Sequence, residues 1–115
     1  MRVVLEKQQD SDGATYYSLT VGREYVVLGI AADWYRILDD TEDPCLFDPS
    51  CFRVVDSTEP SFWQSSEHDG VRYAYPPEWD QVGFFEDFHD HVESVVRRFW
   101  HDLDRYYPEL FAPGT

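Results

Sequence analysis

Positive charge is scarce in this chain. Nine Lys and Arg stand against 23 Asp and Glu over 115 residues, a net charge of −14 with histidine neutral. The shortage is uniform: residues 1–60 hold 12 acids and 5 bases, residues 61–115 hold 11 and 4, so each half carries −7. Binding to nucleic acid or to an anionic bilayer draws on a surplus of Lys and Arg that replaces counterions. Direct contact with either is therefore excluded. Glycine numbers only 6 and nowhere clusters, which removes the phosphate-cradling loop of a nucleotide site. The two cysteines, Cys45 and Cys51, have no second pair to complete a zinc site, and they read as free thiols packed as small hydrophobes. No apolar run approaches the roughly 20 residues of a membrane helix. The start, Met1-Arg2-Val3-Val4-Leu5-Glu6-Lys7, reaches charge too early for a secretory signal, so a cytoplasmic location is expected.

Aromatic residues, by contrast, are abundant at 17%. Acidic tails that merely solvate carry few of them, so the acid here sits on a packed body. A chain of this length makes one domain and buries about two-thirds of its unfolded surface.

Period-two alternation runs through the first two-thirds and predicts strands near 3–7 and over 15–21, 25–30, 34–38, 52–55, 62–66 and 71–75. In 15–21, Tyr17, Leu19 and Val21 share the inward face. Asp10-Ser11-Asp12-Gly13 and Asp69-Gly70 supply turns, and residues 39–50 read as turn chemistry throughout. Beyond Pro76-Pro77 the spacing changes. Phe85, Phe88, Val92, Val95, Val96, Phe99, Leu103, Tyr106 and Tyr107 fall at helical intervals, entered at Gly83 and stopped by Pro108. The expected architecture is α+β: a small, strongly bent antiparallel β-barrel with a long C-terminal amphipathic helix packed on it. A single domain spans 1–115, mainly β over 1–75 and helical over 84–107.

Little in the pattern points to chemistry. Asp87 and His91 are four apart and share a helix face, the basis for one reading as a small metal-dependent enzyme. His89 and His91 lie about 200° apart around a helix and cannot converge on one ion. Ser65-Ser66 lacks the glycine-flanked elbow of a hydrolase serine. No catalytic residue, metal site or cofactor is assigned. Recognition is better supported. Asp39, Asp40, Glu42, Asp43 and Asp48 lack the glycine and terminal glutamate of an EF-hand. Seven acids against one arginine over 39–59 make a local net of −6, which would steer a basic partner. Trp63, Tyr73 and Tyr75 cluster around the last hairpin and are the expected anchors.

Several phrases taken together carry a resemblance: Thr20-Val21-Gly22-Arg23-Glu24-Tyr25-Val26-Val27-Leu28-Gly29-Ile30, then Trp34-Tyr35-Arg36-Ile37-Leu38-Asp39-Asp40. Phe52-Arg53-Val54-Val55-Asp56, Pro60, Trp63 and Gly83-Phe84-Phe85-Glu86-Asp87 follow. In this order they resemble small bacterial proteins with an SH3-like barrel and a C-terminal helical segment, many of them immunity proteins of polymorphic or contact-dependent toxin systems. The resemblance implies a non-enzymatic protein that neutralises a cognate basic toxin such as a nuclease by occlusion, and a monomer or weak homodimer is expected. The alternative is an acidic nucleic-acid mimic or regulator that occupies a host nucleic-acid-binding protein.

Overall fold

The computed structural model describes residues 1–111. The chain divides into two compact units, Met1–Pro76 and the segment from Pro77 onward. The first holds every strand among the described residues: β1 (Arg2–Leu5), β2 (Glu24–Ala31), β3 (Trp34–Leu38), β4 (Pro44–Phe47), β5 (Phe52–Asp56), β6 (Gln64–His68) and β7 (Val71–Tyr75). All pair antiparallel in the order β4-β3-β2-β1-β5, with β7 joined to β2 at Ile30↔Ala74 and β6 joined to β7.

Three short connections explain this order. Ala32 and Asp33 both adopt positive φ, 50° and 68°, and turn β2 into β3. Asp69 and Gly70, at 53° and 80°, do the same between β6 and β7. Between β3 and β4 the Asp39 carboxylate accepts from the Thr41 amide, the Thr41 hydroxyl and the Asp43 amide at 2.9, 2.7 and 3.0 Å. That folds the turn in which Glu42 sits at φ 64° and aligns Leu38 with Pro44. Val3, Leu5, Leu19, Tyr25, Val27, Ile30, Ile37, Phe47, Cys51, Phe52, Trp63 and Ala74 form the buried core of this unit.

Three expectations need correction here. The sheet is not a barrel. β4 and β5 end it and do not pair with each other. A 3-10 turn, Pro49–Cys51, separates them: the Cys51 amide donates to Asp48, the Phe52 amide to Pro49, and the Cys51 carbonyl accepts from Glu6, which leads the chain from β4 to the side of β1. Residues 15–21 are not a strand. The Asp10 carboxylate accepts from the Asp12 and Ala14 amides, both at 2.9 Å, and the Gln8 side chain donates to the Leu19 carbonyl at 3.0 Å. Such local bonds displace a ladder, and Tyr17 ends 89% exposed. The same correction runs the other way at 44–47, read as loop, which is β4.

The third correction concerns the single helix over 84–107. The second unit instead holds α1 (Phe84–His89) and α2 (Glu93–Tyr106). The break is a Schellman closure: the His91 amide donates to Phe88 and the Val92 amide to Asp87, both at 3.0 Å, with His91 left-handed at φ 61°. Apolar spacing runs through such a closure unchanged, which is why periodicity alone joins the two helices. A β-carbon is disfavoured in that conformation. His91→Gly is therefore expected to raise stability by about 1 kcal/mol, read as a higher urea midpoint at unchanged slope; a lower midpoint would contradict the closure.

Within this second unit Trp79 is the centre. Its ring lies 4.9 Å from Phe99, 6.0 Å from Phe85 and Tyr107, and 6.5 Å from Phe84 and Tyr106. Asp102, almost wholly buried on α2, is held by the Arg98 guanidinium one turn earlier at 3.0 Å.

Candidate protein-binding face

Two strips of the first unit, 8–23 and 39–50, are laced together by hydroxyls and carboxylates. The Tyr16 hydroxyl donates to Asp10 at 2.9 Å and accepts from the Asp48 amide at 3.0 Å. Asp48 takes the Ser50 amide at 2.9 Å and the Ser11 hydroxyl at 3.0 Å. A parallel arrangement surrounds Tyr25. Its hydroxyl donates to Asp40 at 2.8 Å and accepts from the Thr20 amide at 2.8 Å, while the Thr20 hydroxyl reaches the other Asp40 oxygen at 2.7 Å. Arg23 adds an ion pair to Asp40 at 3.1 Å, and the Asp40 amide donates to the Ser18 carbonyl at 2.9 Å.

Titration follows this geometry. The Ser50 amide, with help from Ser11, holds the Asp48 carboxyl below its usual range despite burial. Burial, with Asp10 adding to it, pushes the Tyr16 phenol up. Burial does the same for Tyr25, with Asp40 adding to it. Cys45 and Cys51 are both free thiols, and burial together with Asp43 drives Cys45 up to about 12. Neither is a ready nucleophile.

The structure brings five sequence-predicted acids together and gives them different tasks. Asp39 and Asp48 are buried and fold their turns, Asp40 is bonded at the surface, Asp43 is half-buried, and Glu42 is exposed. To these it adds Asp10 and Asp12, so seven carboxylates share the two strips with one arginine, Arg23. The expected aromatic anchors lie elsewhere. Trp63 is 9% exposed within the core and Tyr75 is 5% exposed, its hydroxyl accepting from Arg36 at 3.0 Å. Tyr73 is half-buried, its ring edge-on to His68 at 5.7 Å. What the sequence reading missed is Tyr17, assigned to the core, with Val21 beside the same strip at 52% exposure. The signal was available in Asp10-Ser11-Asp12-Gly13, which nucleates a tight loop rather than a strand entry.

The chain matches no protein-family profile, no curated protein and no solved structure. The resemblance to small immunity proteins falls with this result, because the SH3-like barrel on which it depended is not formed and no family supports it. The terms that came with it, immunity protein and toxin inhibitor, fall too. The Asp87–His91 pairing is also altered. Asp87 lies on α1, whereas His91 lies beyond its end in a left-handed turn, so the two do not share a continuous helix face. Among the described residues, neither unit on its own groups three potential metal ligands. No described helix is long and apolar enough to cross a membrane.

Proposed function

We propose that the protein is a binding module that docks on a basic protein surface and takes the place of a polyanion there, as on the nucleic-acid site of a host protein. The observation that carries this reading is the fixed negative face of strips 8–23 and 39–50, with Tyr17 standing 89% exposed on it. Asp10, Asp39, Asp40 and Asp48 are each held by two or more hydrogen bonds. Of these, Asp10 and Asp40 are not buried, and carboxylates already ordered lose little entropy on meeting a cation. Seven arginines pair with internal carboxylates and Arg36 is buried, so the acidic surplus is left for an outside partner. The field accelerates encounter and an exposed aromatic supplies contact area once docked.

The test uses purified basic nucleic-acid-binding domains, each loaded with a fluorescent oligonucleotide and titrated with the protein at about 50 and about 200 mM salt. Displacement supports the reading, and direct association of the protein with the same domain should weaken as salt rises. Asp12→Lys with Glu42→Lys, both exposed, should slow association about tenfold. Failure to displace any oligonucleotide, or an unchanged association rate in the double variant, would overturn it.

A further inference from the structure

An antiparallel sheet with unpaired edges invites further pairing unless each edge is blunted. β5 is blunted: Arg2 faces Asp56 while Val3 faces Val54, which leaves Val55 as the extra residue of a bulge in β5. β4 starts on Pro44 and runs only four residues. β6 carries neither device. It holds five residues in unbroken register with β7, from Gln64↔Tyr75 to His68↔Val71, and four of the five are exposed.

The direction of its free groups is fixed by its partner. The turn at Asp69-Gly70 makes His68↔Val71 a hydrogen-bonded pair, and alternation makes Glu67↔Arg72 and Ser65↔Ala74 the pairs that do not exchange bonds. Arg72 confirms it. Its amide donates to the Asp33 carboxylate at 2.9 Å and its carbonyl accepts from the Asp33 amide at 3.0 Å, both away from β6. The amides and carbonyls of Ser65 and Glu67 therefore point to the open side.

We propose that this edge pairs with β6 of a second copy, antiparallel about a two-fold axis at Ser66. In that register Ser65 and Glu67 of the second copy exchange amide–carbonyl bonds with Glu67 and Ser65, four in all. Each Ser65 hydroxyl then meets a Glu67 carboxylate, each Gln64 amide meets a His68 ring, and Ser66 meets Ser66. Gln64-Ser65-Ser66-Glu67-His68 is thus its own complement when reversed. The neighbouring two-fold registers are poorer: one opposes Glu67 to Glu67, the other opposes Ser65 to Ser65 and brings Glu67 against Trp63. On its other side Glu67 already has Arg72 as cross-strand neighbour. Charge favours a second copy over a basic segment at this edge. Residues 64–75 contain Glu67, Asp69 and Arg72, a net of −1 in a chain of −14, so a cationic peptide gains little here and self-repulsion between two copies is small. The inference is independent of the acidic face and stands or falls apart from it.

Sedimentation velocity from about 10 µM to about 1 mM tests it. The wild-type protein should shift from monomer to dimer, and added salt should increase the dimer because it screens two copies of like charge; binding to a basic partner responds the opposite way. Ser65→Glu places like charges opposite each other at both ends of the pairing and should weaken the dimer about tenfold. Glu67→Pro removes an outward amide, spares the hairpin bonds and should leave monomer only. Circular dichroism checks that both variants fold. In the wild-type protein, hydrogen exchange at the Ser65 and Glu67 amides should slow with rising concentration. A monomer throughout, exchange at these amides independent of concentration, or an unaltered dimer in folded Ser65→Glu overturns the proposal.

Discussion

Gly29→Ala is expected to destabilise the protein by about 3 kcal/mol or more, because overpacking where nothing can move reaches the upper end of its range. Gly29 lies inside β2, where the added Cβ would fall on the ring of Tyr75 and within 2.9 Å of the Ala74 carbonyl oxygen. The ring cannot swing aside cheaply. Tyr75 is 5% exposed and its hydroxyl accepts from Arg36, itself buried and donating to the Pro44 carbonyl at 3.0 Å. Relief by backbone movement would part β7 from β2, which are joined next door at Ile30↔Ala74. Urea unfolding followed by circular dichroism should show the loss as a lower midpoint at unchanged slope. In a Tyr75→Ala background most of the penalty should vanish, since neighbouring substitutions are not additive. A loss under about 1 kcal/mol would mean that the ring yields.

Trp79→Ala should remove about 4 kcal/mol, the scale of deleting a large buried aromatic side chain. Five rings lie within 6.5 Å of the indole, and such contacts add to the area term. Trp79→Phe should cost far less. The indole N–H is buried without a hydrogen-bond partner among the described residues, an omission worth about 1–3 kcal/mol, and phenylalanine sheds that donor while keeping a ring. Thermal unfolding of the two variants side by side checks the order. Equal losses would overturn the expectation, because Trp79→Phe keeps a ring that Trp79→Ala removes.

Local signals served well where the chain turns on its own residues. Asp69-Gly70 named its hairpin, and the apolar run 25–30 marked β2. Gly83 and Pro108 bracketed the helical segment. Two of the failures share one cause, side chains taking over backbone bonds, and the third is a backbone closure at a left-handed residue. Asp10 converts an alternating stretch into a loop, Asp39 turns an acidic run into a hairpin that creates β4, and His91 enters a conformation usually left to glycine. The acids at 39–48 were visible as charge. Their partners were not: Ser11 reaches Asp48 across 37 positions, and no periodicity carries that information. Tyr17 was visible as an aromatic residue, but its exposure depends on the loop around it.

Arg36 has a kinetic consequence. An arginine guanidinium is a permanent cation, so the interior must surround it with acceptors. Two of these, the Pro44 carbonyl and the Tyr75 hydroxyl, come from β4 and β7, positions 8 and 39 residues away. A half-assembled sheet would strand a desolvated cation, which is heavily penalised. Refolding should therefore unite the early and late hairpins in one concerted event, at the slower pace of distant strand pairings.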